Sequence, residues 1–348
     1  MAPSTVTFDI TPEKEASQSN WLYRQLFICP SAVSPRDVNL NGKTAIVTGS
    51  NIGLGFECCR QLLDLGLSKL ILAVRDESKG NAARQRLSAS KKASKATIEV
   101  WKLDLSVYES VVAFAERAKT LERLDILVLN AGCFKTSLEL NPRTHHDEII
   151  QVNYLSTALL TILMLPVVQS KNSPSTPGRI VLVSSETAAW AVFKEKDAKP
   201  LLPAFDKPDT FDMQDRYYTS KTLGQLFLVE LTKRVPPSVA VVNACNPGLC
   251  HGSGLHHETM DSAPGYIFAA IKRIIGRSTR IGARVLTDAA VNHGVESHGQ
   301  YIGDDKLKPL APLIYTSQGE KLAETLWQET MAELSFAGAE ETIRALSK

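Results

Sequence analysis

The chain predicts an α/β fold: a doubly wound, parallel sheet of about seven strands in a single domain, with helices on both faces. From residue 43 onward, short β-branched or apolar runs alternate with longer helical stretches, and no break in that alternation divides the chain. Each run is nearly continuous in its hydrophobicity, the pattern of a strand buried on both faces of a parallel sheet.

In order, the strands are expected at TAIVTG (44–49), KLILAV (69–74), ATIEVWKL (96–103), DILVLN (125–130), RIVLVSS (179–185), VAVVNA (239–244) and QYIG (300–303). Helical segments lie between them; GFECCRQLLDLG (55–66) ends on Gly66, a residue suited to a helix C-terminus. One domain over 40–335 accounts for the alternation. Residues 1–39 form a leader whose apolar stretch WLYRQLFI (21–28) is expected to pack on the domain, and 336–348 form a C-terminal tail. Two irregular segments, 187–215 and 249–292, leave the carboxyl ends of strands, where such sheets bind ligands, and so read as substrate loops.

The composition of the 348 residues, 44% hydrophobic and 22% charged, is that of a soluble globular protein. A net charge of +2 gives no electrostatic footprint for nucleic acid. Cys29, Cys58, Cys59, Cys133, Cys245 and Cys250 are too sparse for a disulfide scaffold and form no CxxC, so they read as reduced thiols of a cytoplasmic protein. The amino end carries Glu and Lys where a signal peptide needs an apolar core, and no uninterrupted apolar run approaches bilayer length. The segment 266–286, with Lys272, Arg273, Arg277, Arg280 and Arg284 among apolar residues, reads as a basic amphipathic helix. It would lid an apolar pocket, pack on the sheet, or lie peripherally on a membrane surface. His251, His256, His257 and Glu258 lack the HExxH spacing and any supporting cysteine pair, so they read as a polar loop and no metal is expected. Cys58 and Cys59 read as core packing.

The first strand runs into TGSNIGLG (48–55), whose Gly49, Gly53 and Gly55 turn the chain from strand to helix. Glycines there let the backbone approach a pyrophosphate on the helix amino terminus, which makes Thr48, Gly49, Asn51, Gly53 and Leu54 candidate dinucleotide contacts. The loop is neither GxGxxG nor a Walker loop, since no GK[ST] follows. At the end of the second strand, Arg75 stands where NAD-preferring sites carry an acid, and its fork suits a 2′-phosphate; NADP(H) is therefore the expected cofactor, although Asp76 follows at once. Further on, RYYTSK (216–221) places Tyr217 and Lys221 four residues apart, on one helical face, with Tyr218 off that face. A phenol beside a fixed ammonium is a proton donor suited to neutral pH.

Together these residues resemble the short-chain dehydrogenase/reductase family. The resemblance runs in family order through TGSNIGLG, Asp104 in LDL, LNAG (129–132), Asn153 in QVNYLS, VSS (183–185), Tyr217 and Lys221 in YYTSK, and NPG (246–248), over roughly 40–335. GQYIGDDK (299–306) and AETLWQE (323–329) look like the retinol-dehydrogenase-like branch, and NWLYRQLF with NPGLCHG is similar to its fungal members, often reductases of secondary metabolism.

The resemblance implies a Rossmann-like NAD(P)-binding domain and a set of roles. Asp104 would bond the adenine amino group, Asn130 with Gly132 would shape the cofactor pocket, and Pro247 with Gly248 would border it. Ser185 would bind the substrate oxygen, since the family places its catalytic serine second in this strand-end pair, after Ser184. Tyr217 would be the catalytic acid or base, Lys221 would hold the nicotinamide ribose and depress the tyrosine pKa, and Asn153 would anchor a proton-carrying water. The implied activity is NADPH-preferring interconversion of a ketone or aldehyde and an alcohol on a bulky apolar substrate of polyketide, terpenoid or retinoid-like character; a homodimer is compatible with it. A non-catalytic dinucleotide sensor or scaffold, and a non-redox cyclase or isomerase, are the alternatives. The chain departs from the family at Ser156, where Gly is usual, and at LCHGSG, where a Thr usually bonds the nicotinamide amide and Gly252 or Ser253 falls instead. The long gap from Ser185 to Tyr217 implies a loop over part of the pocket.

Overall fold

A computed structural model of the chain describes residues 7–90, 95–255 and 270–347. All seven expected strands form: β1 Thr44–Thr48, β2 Lys69–Val74, β3 Thr97–Lys102, β4 Ile126–Leu129, β5 Arg179–Val183, β6 Val241–Cys245 and, after two short strands, β9 Tyr301–Gly303. The short strands, β7 Cys250–His251 and β8 Arg277–Ser278, pair with each other in parallel. An additional strand, β10 Lys306–Lys308, turns back antiparallel on β9 and completes an eight-stranded sheet ordered β10-β9-β6-β5-β4-β1-β2-β3. The sequence does not announce it, because a three-residue edge strand is too short to show a period.

Strand β1 lies between β2 and β4, with Thr48 opposite Ala73 and Val47 opposite Val128. The chain winds outward from β1 in both directions, so the crevice above its carboxyl end is the switch point at which doubly wound sheets bind ligands. Residues on β1 alternate between two cores: Ile46 belongs to one and Ala45 with Val47 to the other. Helices Gly53–Asp64 and Thr279–Val291 cover the second face with Phe56, Leu62, Ala283 and Leu286. Helices Tyr108–Ala118, Glu148–Ser170, Met213–Arg234 and Ser317–Glu333 cover the first with Phe114, Leu159, Leu226 and Leu326. The result is a single Rossmann-like domain.

Glu148–Ser170 is the one helix among the described residues long and apolar enough to cross a bilayer, and 83% of its apolar window is buried. Its Gln151–Leu155 stretch is π-helical, and its apolar residues form core. The segment 266–286 is not the continuous amphipathic helix expected. Residues 270–275 are helical, the chain breaks at Gly276, β8 follows, and a new helix starts at Thr279. Lys272 and Arg277 are buried, so the basic residues do not share one wet face. Residues 266–269 of that segment, and His256, His257 and Glu258, lie outside the described residues. The leader folds into helices Pro12–Ala16 and Gln18–Phe27, and the C-terminal segment ends in helix Ala339–Leu346, which buries Ala339, Ile343 and Leu346.

Candidate active site

The glycine loop and β4 are locked together first. Thr48 Oγ1 accepts from the backbone amides of Asn130 and Ala131, each at 2.9 Å, and Asn130 Nδ2 donates to Thr48 O at 2.9 Å. Gly49 and Gly53 sit at φ +62° and +63°, a region that side chains rarely adopt. Space is as limiting as torsion: a Cβ at Gly55 would stand 2.6 Å from Gly49 O and from Asn130 Nδ2. Helix Gly53–Asp64 then starts after Ile52 with no side-chain cap, so no capping side chain takes up its first amides. A glycine cradle under an uncapped helix start fits the pyrophosphate of a dinucleotide.

Around that cradle, Asp104 lies just beyond β3 and accepts from Ser106 N at 3.0 Å through Oδ1. Arg75 is exposed just beyond β2. Asp76 is engaged elsewhere: it caps helix Glu77–Ser88, accepting from Lys79 N at 3.1 Å. The loop after β6 folds back over the glycine turn, where a Cβ at Gly53 would stand 3.4 Å from Ser253 Cα. Ser253 is thus the residue of LCHGSG that lies nearest Gly53, while Pro247 and Gly248 follow shortly after β6, with Gly248 packed against Gln25 and Arg277. Asn51 and Leu54 belong to the turn and first helical residues of the cradle itself.

The second group converges from three elements. Asn153, in the π-helical stretch, accepts from Cys133 N at 2.8 Å and donates to Cys133 O at 2.9 Å and to Ser220 Oγ at 3.1 Å. Ser220 Oγ in turn donates to Tyr217 O at 2.7 Å, so Asn153 is tied to the helix that carries Tyr217 and Lys221. Lys221 Nζ donates to Val183 O, at the end of β5, at 3.0 Å and lies 5.6 Å from the Tyr217 ring centre. A Cβ at Gly132 would stand 3.0 Å from Asn153 Oδ1 and 3.9 Å from Lys221 Nζ, which places all three side by side. Just past β5, the Ser185 hydroxyl accepts from Thr187 N at 3.2 Å and Thr187 Oγ1 at 2.9 Å and is partly exposed. Ser184 is buried and turned toward Gln225, 3.4 Å away. Tyr217 packs on Phe134, with ring centres 5.8 Å apart, whereas Tyr218 turns its edge to Trp190 at 6.2 Å.

Burial dominates the electrostatics. It pushes the Tyr217 phenol above its ordinary value, with Cys133 and Tyr218 adding to the rise, and it lowers Lys221 to about 8. In the protein without dinucleotide, burial thus moves Tyr217 in the direction opposite to the depression that the resemblance implies. Ser156, the departure from the family's glycine, is absorbed structurally; its hydroxyl accepts from Gln151 Nε2 at 2.9 Å. Ser220, the Cys133 backbone and the Val183 carbonyl are supporting groups that sequence reasoning missed. Ser220 lay inside YYTSK, and only the helical register reveals its role.

The lowered Lys221 value has a testable sign. Between about 8 and the ordinary 10.5 the unfolded chain binds more protons at this lysine than the folded one, so its contribution to stability rises with pH across that window. Below it, the full cost of a buried charge stands. Lys221→Met is expected to be more stable than the unaltered protein at pH 7 by on the order of 2 kcal/mol, and to lose that advantage by pH 10. Urea unfolding without dinucleotide at both pH values measures it; an equal difference at both would contradict it. His146, where Asp206 and Glu333 outweigh burial and raise the imidazole to about 9, contributes stability lost as pH rises through that value. It contributes equally to both proteins and cancels in the comparison.

Known proteins are similar to this chain. The family profile described as short chain dehydrogenase matches residues 43–195. The chain is 54% identical over 347 residues to the short-chain dehydrogenase fogG of Aspergillus ruber, covering 99% of both chains. It is 41% identical over 347 residues to the short chain dehydrogenase/reductase mfmJ of Annulohypoxylon moriforme, covering 99% of this chain and 97% of that one. Among solved structures, a 3-oxoacyl (acyl-carrier-protein) reductase from Agrobacterium tumefaciens with NADP bound superposes with a TM-score of 0.58 at 21% identity, over 78% of this chain and 95% of that one. The Pseudomonas aeruginosa RhlG/NADP complex gives 0.57 at 20% identity, over 76% and 95%. These last two likenesses show the fold, and the fungal relatives show the family: the chain is an oxidoreductase that belongs to the short-chain dehydrogenase/reductase family.

Proposed function

We propose that the chain is an NADPH-preferring reductase interconverting a ketone or aldehyde and an alcohol on a bulky apolar substrate, with Tyr217 as the proton donor. The observation that carries it is the convergence of Asn153, Gly132 and Lys221 on the Tyr217 helix, beside a cradle only glycine can line. When bound, the reduced nicotinamide supplies a hydride to the carbonyl carbon. The protein's own groups do the rest. Ser185 presents a hydroxyl to the oxygen on which negative charge develops. Tyr217, held above its ordinary pKa by burial, stays protonated at neutral pH and donates the proton that completes the alcohol. Lys221 holds the ribose hydroxyls, and Asn153, fixed by Cys133 and Ser220, sets the spacing between its helix and the tyrosine's.

The end of β2 supports this cofactor preference. Asp76, the acid that could grip ribose hydroxyls, is committed to capping a helix, which leaves the Arg75 guanidinium for a 2′-phosphate. Phe134 and Tyr218 pack beside Tyr217, and Trp190 packs on Tyr218; this run of rings supports a bulky apolar substrate, of the kind found in fungal secondary metabolism.

Two measurements test this. With a panel of apolar ketones and aldehydes, NADPH is consumed and an alcohol forms; a sensor or scaffold would bind NADPH and turn nothing over. Arg75→Ala is expected to weaken NADPH binding by about tenfold or more while leaving NADH nearly unchanged, the scale of one charge-assisted contact. Tighter binding of NADH than NADPH by the unaltered protein would overturn the preference.

A further inference from the structure

The leader helix Gln18–Phe27 reaches, through three side chains, the two loops that carry the candidate site. Trp21 Nε1 donates to Glu186 Oε1 at 2.6 Å, and Arg24 Nη2 reaches Glu186 Oε2 at 3.4 Å. Asn246 Nδ2 donates to the same Oε2 at 2.9 Å. Glu186 directly follows Ser185, and Asn246 directly precedes Pro247 and Gly248. One carboxylate therefore joins the leader, the serine at the end of β5 and the cofactor-side loop after β6.

Gln25 makes the contact with that loop specific. Its Oε1 accepts from Leu249 N at 3.1 Å, and its Nε2 donates to Leu249 O at 2.9 Å and to Ile275 O at 3.1 Å. Gly248, at φ +75°, fits so closely that a Cβ there would stand 2.9 Å from Gln25 Oε1. Arg24 is further held by Glu15 at 3.3 Å and Asp304 at 3.2 Å, and Asp304 also accepts from Arg277 at 2.7 Å. Arg24, Glu15, Asp304 and Arg277 are all buried. Apolar side chains would attach a leader at lower desolvation cost, because buried ions regain little of what leaving water costs them. What directed, multiply hydrogen-bonded charges add is a fixed orientation of the groups they hold.

We propose that the amino-terminal helix is part of the reaction scaffold, with Trp21 and Arg24 acting as positioning residues that set Ser185 and the Asn246–Gly248 loop through Glu186. The proposal rests on the roles assigned above to Ser185 and Gly248.

Trp21→Phe and Arg24→Lys in the full chain test it. Trp21→Phe removes only the indole donor and keeps a ring against Trp190, whose centre lies 5.5 Å away. Both variants are expected to lower kcat at saturating NADPH by about tenfold or more, since small displacements of aligned groups are costly. KM for the carbonyl substrate should change little. NADPH binding, read by fluorescence titration, should weaken by a smaller factor, with the unfolding midpoint of Trp21→Phe close to that of the unaltered protein. If Arg24→Lys fails to fold, Trp21→Phe decides. A kcat and an NADPH Kd both within about twofold of the unaltered protein would overturn the proposal, as would a fall in the unfolding midpoint with kcat of the folded fraction unmoved. If the unaltered protein turns over no carbonyl on the panel, the proposed activity fails separately. The NADPH Kd of Trp21→Phe then decides alone, a weaker Kd supporting the clamp and an unchanged one overturning it.

Discussion

Tyr217→Phe is expected to lose nearly all turnover, on the order of a thousandfold in kcat, while Tyr218→Phe keeps most of it. The two phenols are sequence neighbours on helix Met213–Arg234, yet they face different surroundings. Tyr217 lies beside Lys221, Phe134 and the Asn153–Ser220 link; Tyr218 turns its edge to Trp190. Removing the Tyr217 hydroxyl deletes the proposed proton donor and leaves the ring, the ammonium and the glycine cradle in place. NADPH should therefore bind Tyr217→Phe about as tightly as the unaltered protein, and only kcat should collapse. Removing the Tyr218 hydroxyl leaves its ring packed on Trp190 and Tyr217 and is expected to move KM more than kcat. The opposite pattern would show that the wrong tyrosine has been assigned to the chemistry.

The second large effect is on stability. Arg216→Leu is expected to cost about 3–5 kcal/mol of folding free energy, the usual penalty for stranding buried charges. The Arg216 side chain is 1% exposed and donates to Asp147 Oδ2 at 2.7 Å and to Glu195 Oε1 at 3.0 Å, on carboxylates that are themselves 1% and 2% exposed. It also donates to Phe205 O at 2.5 Å and lies over the Phe205 ring, 5.1 Å from its centre. Asp147 is the amino-terminal cap of helix Glu148–Ser170, accepting from Ile149 N at 2.8 Å and Ile150 N at 3.1 Å. Burial raises its pKa even though Arg216 opposes the rise, so loss of the guanidinium leaves a carboxylate that is costly to keep charged. The same side chain ties the connection after Ser185, through Glu195 and Phe205, to the helices bearing Asn153 and Tyr217. Arg216→Lys, which keeps the charge and loses the fork, should fall between the two. Urea unfolding at neutral pH measures the series, and a loss below about 1 kcal/mol for Arg216→Leu would contradict this view of the core.

Strands buried on both faces are legible because their apolar runs tolerate no polar alternate; β1, for instance, is buried throughout as TAIVT. The candidate site was legible for a related reason. Glycines at positive φ, an asparagine held by backbone groups, and a tyrosine one turn before a lysine are local requirements written in short motifs. What escaped was non-local or marginal. The edge strand Lys306–Lys308 and the two-residue pair β7–β8 are too short to carry a period. The break at Gly276 within an otherwise helical pattern arises where a Cβ would stand 2.2 Å from Lys272 O, a contact no periodicity reveals. Arg24 and Glu186 meet across 162 residues, and nothing in the stretch around either one names the other as its partner. The direction of the Tyr217 shift was also hidden, because a neighbouring lysine is visible in sequence and desolvation is not.

The most direct test uses NADPH deuterated at the transferable position of nicotinamide C4, with an apolar ketone that the protein turns over. Hydride transfer predicts an alcohol carrying deuterium on the carbinol carbon, formed in step with NADPH consumption and lost in Tyr217→Phe. A product with the mass of the starting ketone and no deuterium, formed without NADPH consumption, would contradict it.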